Sequence, residues 1–144
     1  MTFCLDESLG LPLAGVLRQL RAPGAPGIQH MRELGYSGAS DEVWLAALPK
    51  RGVRVVVTKD SRILNATVRR DVWRNAGLSL FVLDGKWGNL RLFEQARRLI
   101  WWWPTIVARA EAGPRGAAWR VSADLSTGGM SRVFEASPED RSPV

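Results

Sequence analysis

The chain reads as an α/β protein built on a mainly parallel sheet, and two observations carry that reading. Short aliphatic runs, Phe3-Cys4-Leu5, Val53-Arg54-Val55-Val56-Val57 and Leu80-Phe81-Val82-Leu83, alternate with stretches of helical apolar spacing. Near-continuous apolar strands separated by helices mark a buried parallel sheet. Each run is then followed by an acid: Asp6-Glu7, Asp60 and Asp84. In open parallel sheets ligands bind just beyond the carboxyl ends of the strands, so these acids are expected along one functional edge.

The first strand, 2–5, leads through its acidic turn into an amphipathic helix in which Leu13, Val16, Leu17 and Leu20 recur at helical spacing, with Pro12 suited to the first turn. Ala22-Pro23-Gly24-Ala25-Pro26-Gly27 cannot prolong that helix, and a brief strand at 28–31 precedes a glycine-rich loop between Gly35 and Gly38. Ser40 is the expected N-cap of a helix holding Val43, Trp44, Leu45, Ala47 and Leu48. Asp41 and Glu42 in its first turn suit the macrodipole, and Pro49 and Gly52 stop it. The strand 53–57 is β-branched and bounded by Gly52 and the polar turn Thr58-Lys59-Asp60-Ser61. A basic, partly helical stretch carrying Arg62, Arg69, Arg70 and Arg74 ends at Gly77, placed as a C′ glycine.

The strand 78–83 passes through Asp84-Gly85-Lys86-Trp87-Gly88 into a long helix, with Asn89 as its expected cap and Leu92, Phe93, Ala96, Leu99, Ile100 and Trp103 as its apolar face. Pro104 is expected to kink or split it, because proline cannot donate to the carbonyl of Ile100. Ala112-Gly113-Pro114-Arg115-Gly116 reads as a linker, and 119–124 with 130–134 as a β-hairpin around Ser126-Thr127-Gly128-Gly129. The expected organisation is a domain over 1–111, a linker and hairpin extension over 112–136, and a disordered tail over 137–144.

With 144 residues, 46% hydrophobic and 24% charged, one soluble globular domain with a real core is expected. Twenty Lys and Arg against 14 Asp and Glu leave +6, with a pI near 10.7. Because several acids gather on one edge, the remaining surface is strongly basic and suits a polyanion or an acidic protein. The single Cys4 excludes an intramolecular disulfide and reads as a buried, inert thiol. The N-terminus enters a strand without a signal-peptide pattern, and the apolar stretch 99–107 is too short to span a bilayer, so a cytoplasmic location with no membrane contact is expected.

Seven tryptophans need places. Trp101-Trp102-Trp103 point in different directions on a helix, so at least one is expected on the surface; a homodimer or partner contact and packing beneath the hairpin are both open. Trp44, Trp73 and Trp87 are open to base stacking.

The acids suggest a divalent cation site made of carboxylates alone, with Asp41-Glu42 brought to the same edge as Asp6 and Asp60. An Asp after a strand is also the ordinary N-cap of the next helix, and that reading stays open at each position. No other catalytic set competes. His30 is the only histidine and falls in a strand, and neither a P-loop nor a Cys/His zinc spacing occurs. Arg62, Arg69 and Arg70 can track phosphates or form a solvated face.

Leu5-Asp6-Glu7-Ser8-Leu9, His30-Met31-Arg32-Glu33-Leu34-Gly35, Ala39-Ser40-Asp41-Glu42 and Val57-Thr58-Lys59-Asp60, in this order, resemble the compact PIN-like domains over about residues 1–110. This is the small metal-dependent ribonuclease fold that includes VapC-type toxins of toxin–antitoxin pairs. The resemblance implies a three-layer α/β/α domain, a Mg²⁺ or Mn²⁺ site, hydrolysis of RNA phosphodiester bonds and an antitoxin partner. By position it makes Asp6, Asp41 and Asp60 the catalytic and metal-binding acids, with Glu42 a further metal ligand and Glu7 or Glu33 the alternatives for a fourth. Thr58, Arg62, Arg69 and Arg70 are the substrate-binding candidates. The chain departs from larger members in having only Glu33, in a loop, where they place a Glu on an extra helix. Residue 62 is Arg where many relatives carry a second Asp.

Two other readings use the same sheet. A receiver-like phosphoacceptor domain also carries an acidic pair and an Asp after strands, but asks for Ser or Thr after the next strand, where Asp84 stands, and for a Lys after a later one, where only Lys86 is near. A noncatalytic adaptor keeps the fold and binds RNA or protein without a metal.

Overall fold

The computed structural model describes residues 1–65 and 67–133; Phe134 of the expected hairpin and the expected tail lie outside that range. The apolar runs form β1 (Thr2–Leu5), β3 (Val53–Thr58) and β4 (Ser79–Leu83), joined by the short β2 (Ile28–His30) and by β5 (Ala118–Val121) and β6 (Met130–Arg132). They make one six-stranded sheet in the order β2-β1-β3-β4-β5-β6, parallel throughout except for the antiparallel β5–β6 pair. The C-terminal hairpin is therefore built into the central sheet, with Leu80 to Leu83 registered against Ala118 to Val121.

Alternation along the strands sends side chains into two cores. Phe3, Leu5, Val55, Val57, Phe81 and Leu83 face α1 (Leu11–Gln19) and α4 (Leu92–Ala112). Cys4, Val56, Leu80 and Val82 face α2 (Asp41–Ala47) and α3 (Thr67–Asn75), through Trp44, Leu45 and Trp73. With helices on both faces of a mostly parallel sheet, the fold is a three-layer α/β/α sandwich, as expected. Each of these fully buried aliphatic side chains contributes about 1.5–3 kcal/mol by leaving water, so the strand centres fix the register.

The crossover β4-α4-β5 steps in the same direction across the sheet as β3-α3-β4, yet its helix lies on the opposite face. Its hand is therefore opposite to that of the neighbouring crossover, a rare arrangement among βαβ units. The nine-residue α1 leaves the α1 side of β3, β4 and β5 bare, and the 21-residue α4 covers it with Leu99, Trp102, Trp103 and Ile106.

Several local expectations change. The long helix begins at Leu92 with Arg91 as N-cap, because Gly85–Asn89 forms a 3-10 turn of its own; Asn89 is not the cap. Pro104 neither ends nor splits α4. It lies on the exposed side, where the carbonyl it cannot serve reaches water, while buried Trp103 and Ile106 pin the helix on either side. The buried face is also turned from the expected one: Leu92, Phe93 and Ile100 are exposed, and Trp102 is buried with its Nε1 donating to Ser122 O at 2.9 Å. Docking of the hairpin onto Trp102 turns the helix. Trp101 is the exposed member of the tryptophan triplet. Trp44, Trp73 and Trp87 are fully buried, which removes them as base-stacking platforms. Among the described residues no helix is long and apolar enough to cross a membrane.

Candidate active site

The order β2-β1-β3 means that the chain leaves β1 to one side and returns on the other, and the crevice at such a switch point lies beyond the carboxyl ends of β1 and β3. Those ends carry Asp6 and the turn Thr58-Lys59-Asp60. A cleft of about 480 Å³ opens there, lined by Asp6, Glu7, Ser8, Asp41, Glu42 and Asp60, with Arg62 and Arg69 also on its wall. Asp6, Asp41, Asp60 and Glu42 thus share one cavity.

Asp6 forms the floor. It is 8% exposed, and both carboxylate oxygens are engaged: Oδ1 accepts from the Ser8 amide at 3.0 Å and from the Ser8 hydroxyl, and Oδ2 accepts from Thr58 Oγ1 at 2.6 Å. Thr58 Oγ1 in turn accepts from the Asp60 amide at 2.9 Å, and Ser8 Oγ accepts from the Lys59 amide at 2.8 Å. Two hydroxyls therefore join the β1 and β3 turns. Ser8 was missed as a site residue from sequence, although its place two residues after Asp6 is the spacing of an Asx turn. Thr58, expected to contact substrate, is fully buried beneath Asp6 and orients that carboxylate instead.

The other acids each have a basic or polar partner. Asp60 caps the 3-10 turn Ser61–Leu64 by accepting from the Arg62 amide at 3.0 Å, and the Arg62 guanidinium grips both its oxygens, at 2.9 and 2.7 Å. Asp41 accepts from Trp44 Nε1 at 3.0 Å, and Arg69 Nε lies 3.2 Å from Asp41 and 3.5 Å from Glu42. Ser40 occupies the N-cap position of α2 without a side-chain cap bond. Glu7 accepts from the Ser37 hydroxyl and from the Gly38 amide at 2.8 Å, tying the rim to the glycine-rich loop.

Three candidates fall elsewhere. Glu33 forms a two-pronged pair with Arg18 at 2.8 Å and accepts from the His30 amide, so it is no ligand of this cleft. Arg70 is not among the residues that line the cleft. Asp84 opens toward β5, pairs with Arg120 and accepts from the Gly85 amide at 2.8 Å, so the third acid-ended strand does not feed the same site. That pairing also ties up the position where the receiver reading needs a hydroxyl. His30 is structural: Nδ1 accepts from the Arg32 amide at 3.0 Å, which leaves Nε2 protonated and donating to Leu9 O at 2.8 Å.

The environments push two of the acids apart. Burial raises the Asp6 pKa above its ordinary 3.8, against the opposing hydrogen bonds of Ser8 and Thr58, and the negative charge of Asp60 adds to the rise. The Arg62 hydrogen bonds hold Asp60 below the usual carboxylate range. The hydrogen bond from Ser37 likewise lowers Glu7. Separation of neighbouring carboxyl pKa values is a pattern found at catalytic sites.

The donor set consists of carboxylate and hydroxyl oxygens, which suits a hard cation such as Mg²⁺ or Mn²⁺ and not a soft one. Mg²⁺ is commonly held by one or two carboxylates, with water and phosphate completing its shell, a demand that Asp6 and Asp60 meet in kind. Among the described residues no three His, Cys, Asp or Glu side chains converge closely enough to hold one ion, and guanidinium groups sit on Asp60 and Asp41.

A family profile described as the PIN like domain matches residues 1–85. No curated protein and no solved structure matches the chain. The matched segment is 85 of the 144 residues, runs from β1 through β4, and contains every acid of the cleft. PIN domains are commonly nucleases. Parallel sheet, switch-point cleft and family profile agree, and the chain belongs to the PIN-like domain family.

Proposed function

We propose that the protein is a metal-dependent endoribonuclease that hydrolyses RNA phosphodiester bonds with Mg²⁺ or Mn²⁺, acting in the cytoplasm as the toxin of a toxin–antitoxin pair. The observation that carries this reading is the buried Asp6 carboxylate, oriented by Ser8 and Thr58 on the floor of a cleft whose lining also includes Asp41, Glu42 and Asp60. Asp6 and Asp60 would hold the ion, with Asp41 and Glu42 on the α2 wall. When bound, a hard dication supplies Lewis acidity to water and to the scissile phosphate.

The protein's own groups do the rest. Ser8 and Thr58 fix the Asp6 carboxylate, so that it need not reorganise during the reaction. Arg62, 78% exposed, leaves Asp60 and Arg69 leaves Asp41 to take phosphate oxygens, for which a forked guanidinium is well shaped. The net charge of +6 draws RNA toward the surface.

The test is cleavage of RNA in Mg²⁺ or Mn²⁺ by wild type and by Asp6→Asn. Activity in wild type that falls by at least about a hundredfold in the variant supports the assignment. Equal rates reject it. A noncatalytic RNA-binding adaptor is the second reading, favoured by the guanidinium groups already seated on Asp60 and Asp41; RNA binding by a wild type that never cleaves would establish it.

A further inference from the structure

A pocket of about 270 Å³ opens at the amino ends of β3 and β4, at the opposite edge of the sheet from the acidic cleft. Arg54, Ser79 and Arg115 line it, and the end of α4 closes one side through Ala110 and Gly113. No Asp or Glu lines it. Among the described residues neither arginine enters an ion pair. Two positive charges therefore border one hollow without a counter-ion, in contrast to the cleft, where Asp60 and Asp41 each hold a guanidinium.

Local structure puts each of the three there. Thr2 pairs with Val53 and Phe3 with Val55, so Arg54 is the extra residue of a β-bulge. The packing agrees: Val53 and Val55, which a regular strand would place on one face, are buried in opposite cores, and Arg54 between them is exposed. Bulges that re-aim a side chain recur beside functional sites. Ser79 stands between Leu78 and Leu80, both packed toward α2 and α3, so its side chain lies on the α4 side. It is 7% exposed, and its hydroxyl has no hydrogen-bond partner among the described residues. A buried hydroxyl left unpaired is costly, and a bound acceptor would satisfy it. The stem of Arg115 runs over Gly77, where a Cβ would stand 3.5 Å from Arg115 Cδ.

The chemistry of these groups selects the ligand. Guanidinium forks match pairs of phosphate oxygens, and the hydroxyl donates one bond more. Two guanidinium charges balance a phosphomonoester, which carries about −1.5 to −2 at pH 7, better than a singly charged phosphodiester. The last turn of α4 opposes an anion with about half a negative charge, which two full positive charges outweigh. Its Arg109 carbonyl is moreover taken by the Gly113 amide at 2.8 Å. A volume of about 270 Å³ lies just below the roughly 300–1,000 Å³ of drug-sized sites and suits a phosphate group with little attached. We propose that Arg54, Ser79 and Arg115 form a binding site for a phosphomonoester group. Arg115 lies outside the matched segment 1–85, and Arg54 stands roughly 13 Å along β3 from Thr58, so the site is separate from the cleft and independent of the nuclease reading.

Titration of inorganic phosphate, methyl phosphate and dimethyl phosphate into the isotope-labelled full chain, read by amide chemical shifts, tests it. Wild type is expected to show saturable shifts at the amides of Arg54, Gly77, Ser79 and Gly113, with methyl phosphate bound at least about tenfold more tightly than dimethyl phosphate. Arg54→Ala and Arg115→Ala, both at exposed side chains, are each expected to weaken binding at least about tenfold, and Ser79→Ala several-fold. Arg62→Ala should leave these shifts in place, which separates the site from any phosphate held in the cleft. Adenosine monophosphate and a 5′-phosphorylated RNA tetramer are two carriers of such a group, and the tighter of them names the source. Absence of saturable shifts at millimolar phosphate, shifts that survive both arginine changes, or equal affinity for methyl and dimethyl phosphate would each overturn the proposal.

Discussion

Thr58→Val isolates the hydroxyl that orients Asp6. Thr58 is fully buried, and valine keeps its shape within β3 while deleting the donor to Asp6 Oδ2 at 2.6 Å and the acceptor of the Asp60 amide at 2.9 Å. A hydrogen bond to a charged group contributes about 1.5–3 kcal/mol, and an amide left without a partner costs about 1 kcal/mol more, so the expected loss is about 2.5–4 kcal/mol. In a chain of this length that lowers Tm by roughly 5–15 °C.

The loss should depend on pH. Burial raises Asp6 above 3.8, so the folded chain binds a proton that the unfolded chain releases, and the charged form costs stability as pH rises through the folded value. The Thr58 bond favours the charged form; deleting it raises the Asp6 pKa further. The deficit of the variant is therefore largest above the folded pKa and shrinks as pH falls toward 3.8. Urea unfolding followed by tryptophan fluorescence across that range measures it. A deficit under about 1 kcal/mol, or one that grows on acidification, would refute the role given to Thr58.

Arg62→Ala removes the guanidinium from both oxygens of Asp60 while the backbone amide of residue 62 still caps Oδ1, so Mn²⁺ affinity without RNA is expected to rise several-fold while RNA affinity falls, both read by titration calorimetry; an unchanged Mn²⁺ affinity would contradict its place as the resident counter-ion. Cys4 is fully buried, and burial pushes its thiol up to about 12, so a disulfide reagent should find no reactive thiol in the native protein and one in guanidinium, whereas prompt native labelling would contradict the packing of β1.

Much of this molecule was legible in the chain. β-branched and aliphatic runs such as Val55-Val56-Val57 have no other way to bury both faces, and the acids that follow Leu5 and Thr58 fall at the switch point because parallel strands all point one way. The orientation of α4 was not legible. Its sequence offers overlapping apolar faces, and the choice is made by Trp102 meeting Ser122, a contact that exists only once β5 has joined β4. The same distance in sequence hid the pairing of Asp84 with Arg120. At the cleft, residue types and order named Asp6, Asp41, Asp60 and Glu42, but the hydroxyl relay through Ser8 and Thr58 depends on two turns 50 residues apart meeting side by side.

Direct titration of Mn²⁺ into the protein without RNA, followed by electron paramagnetic resonance, addresses the central claim that the switch-point acids bind a hard dication. The account predicts saturable binding by wild type that weakens at least about tenfold in Asp6→Asn and in Asp60→Asn. Mn²⁺ that binds all three proteins alike, or none of them, would contradict it.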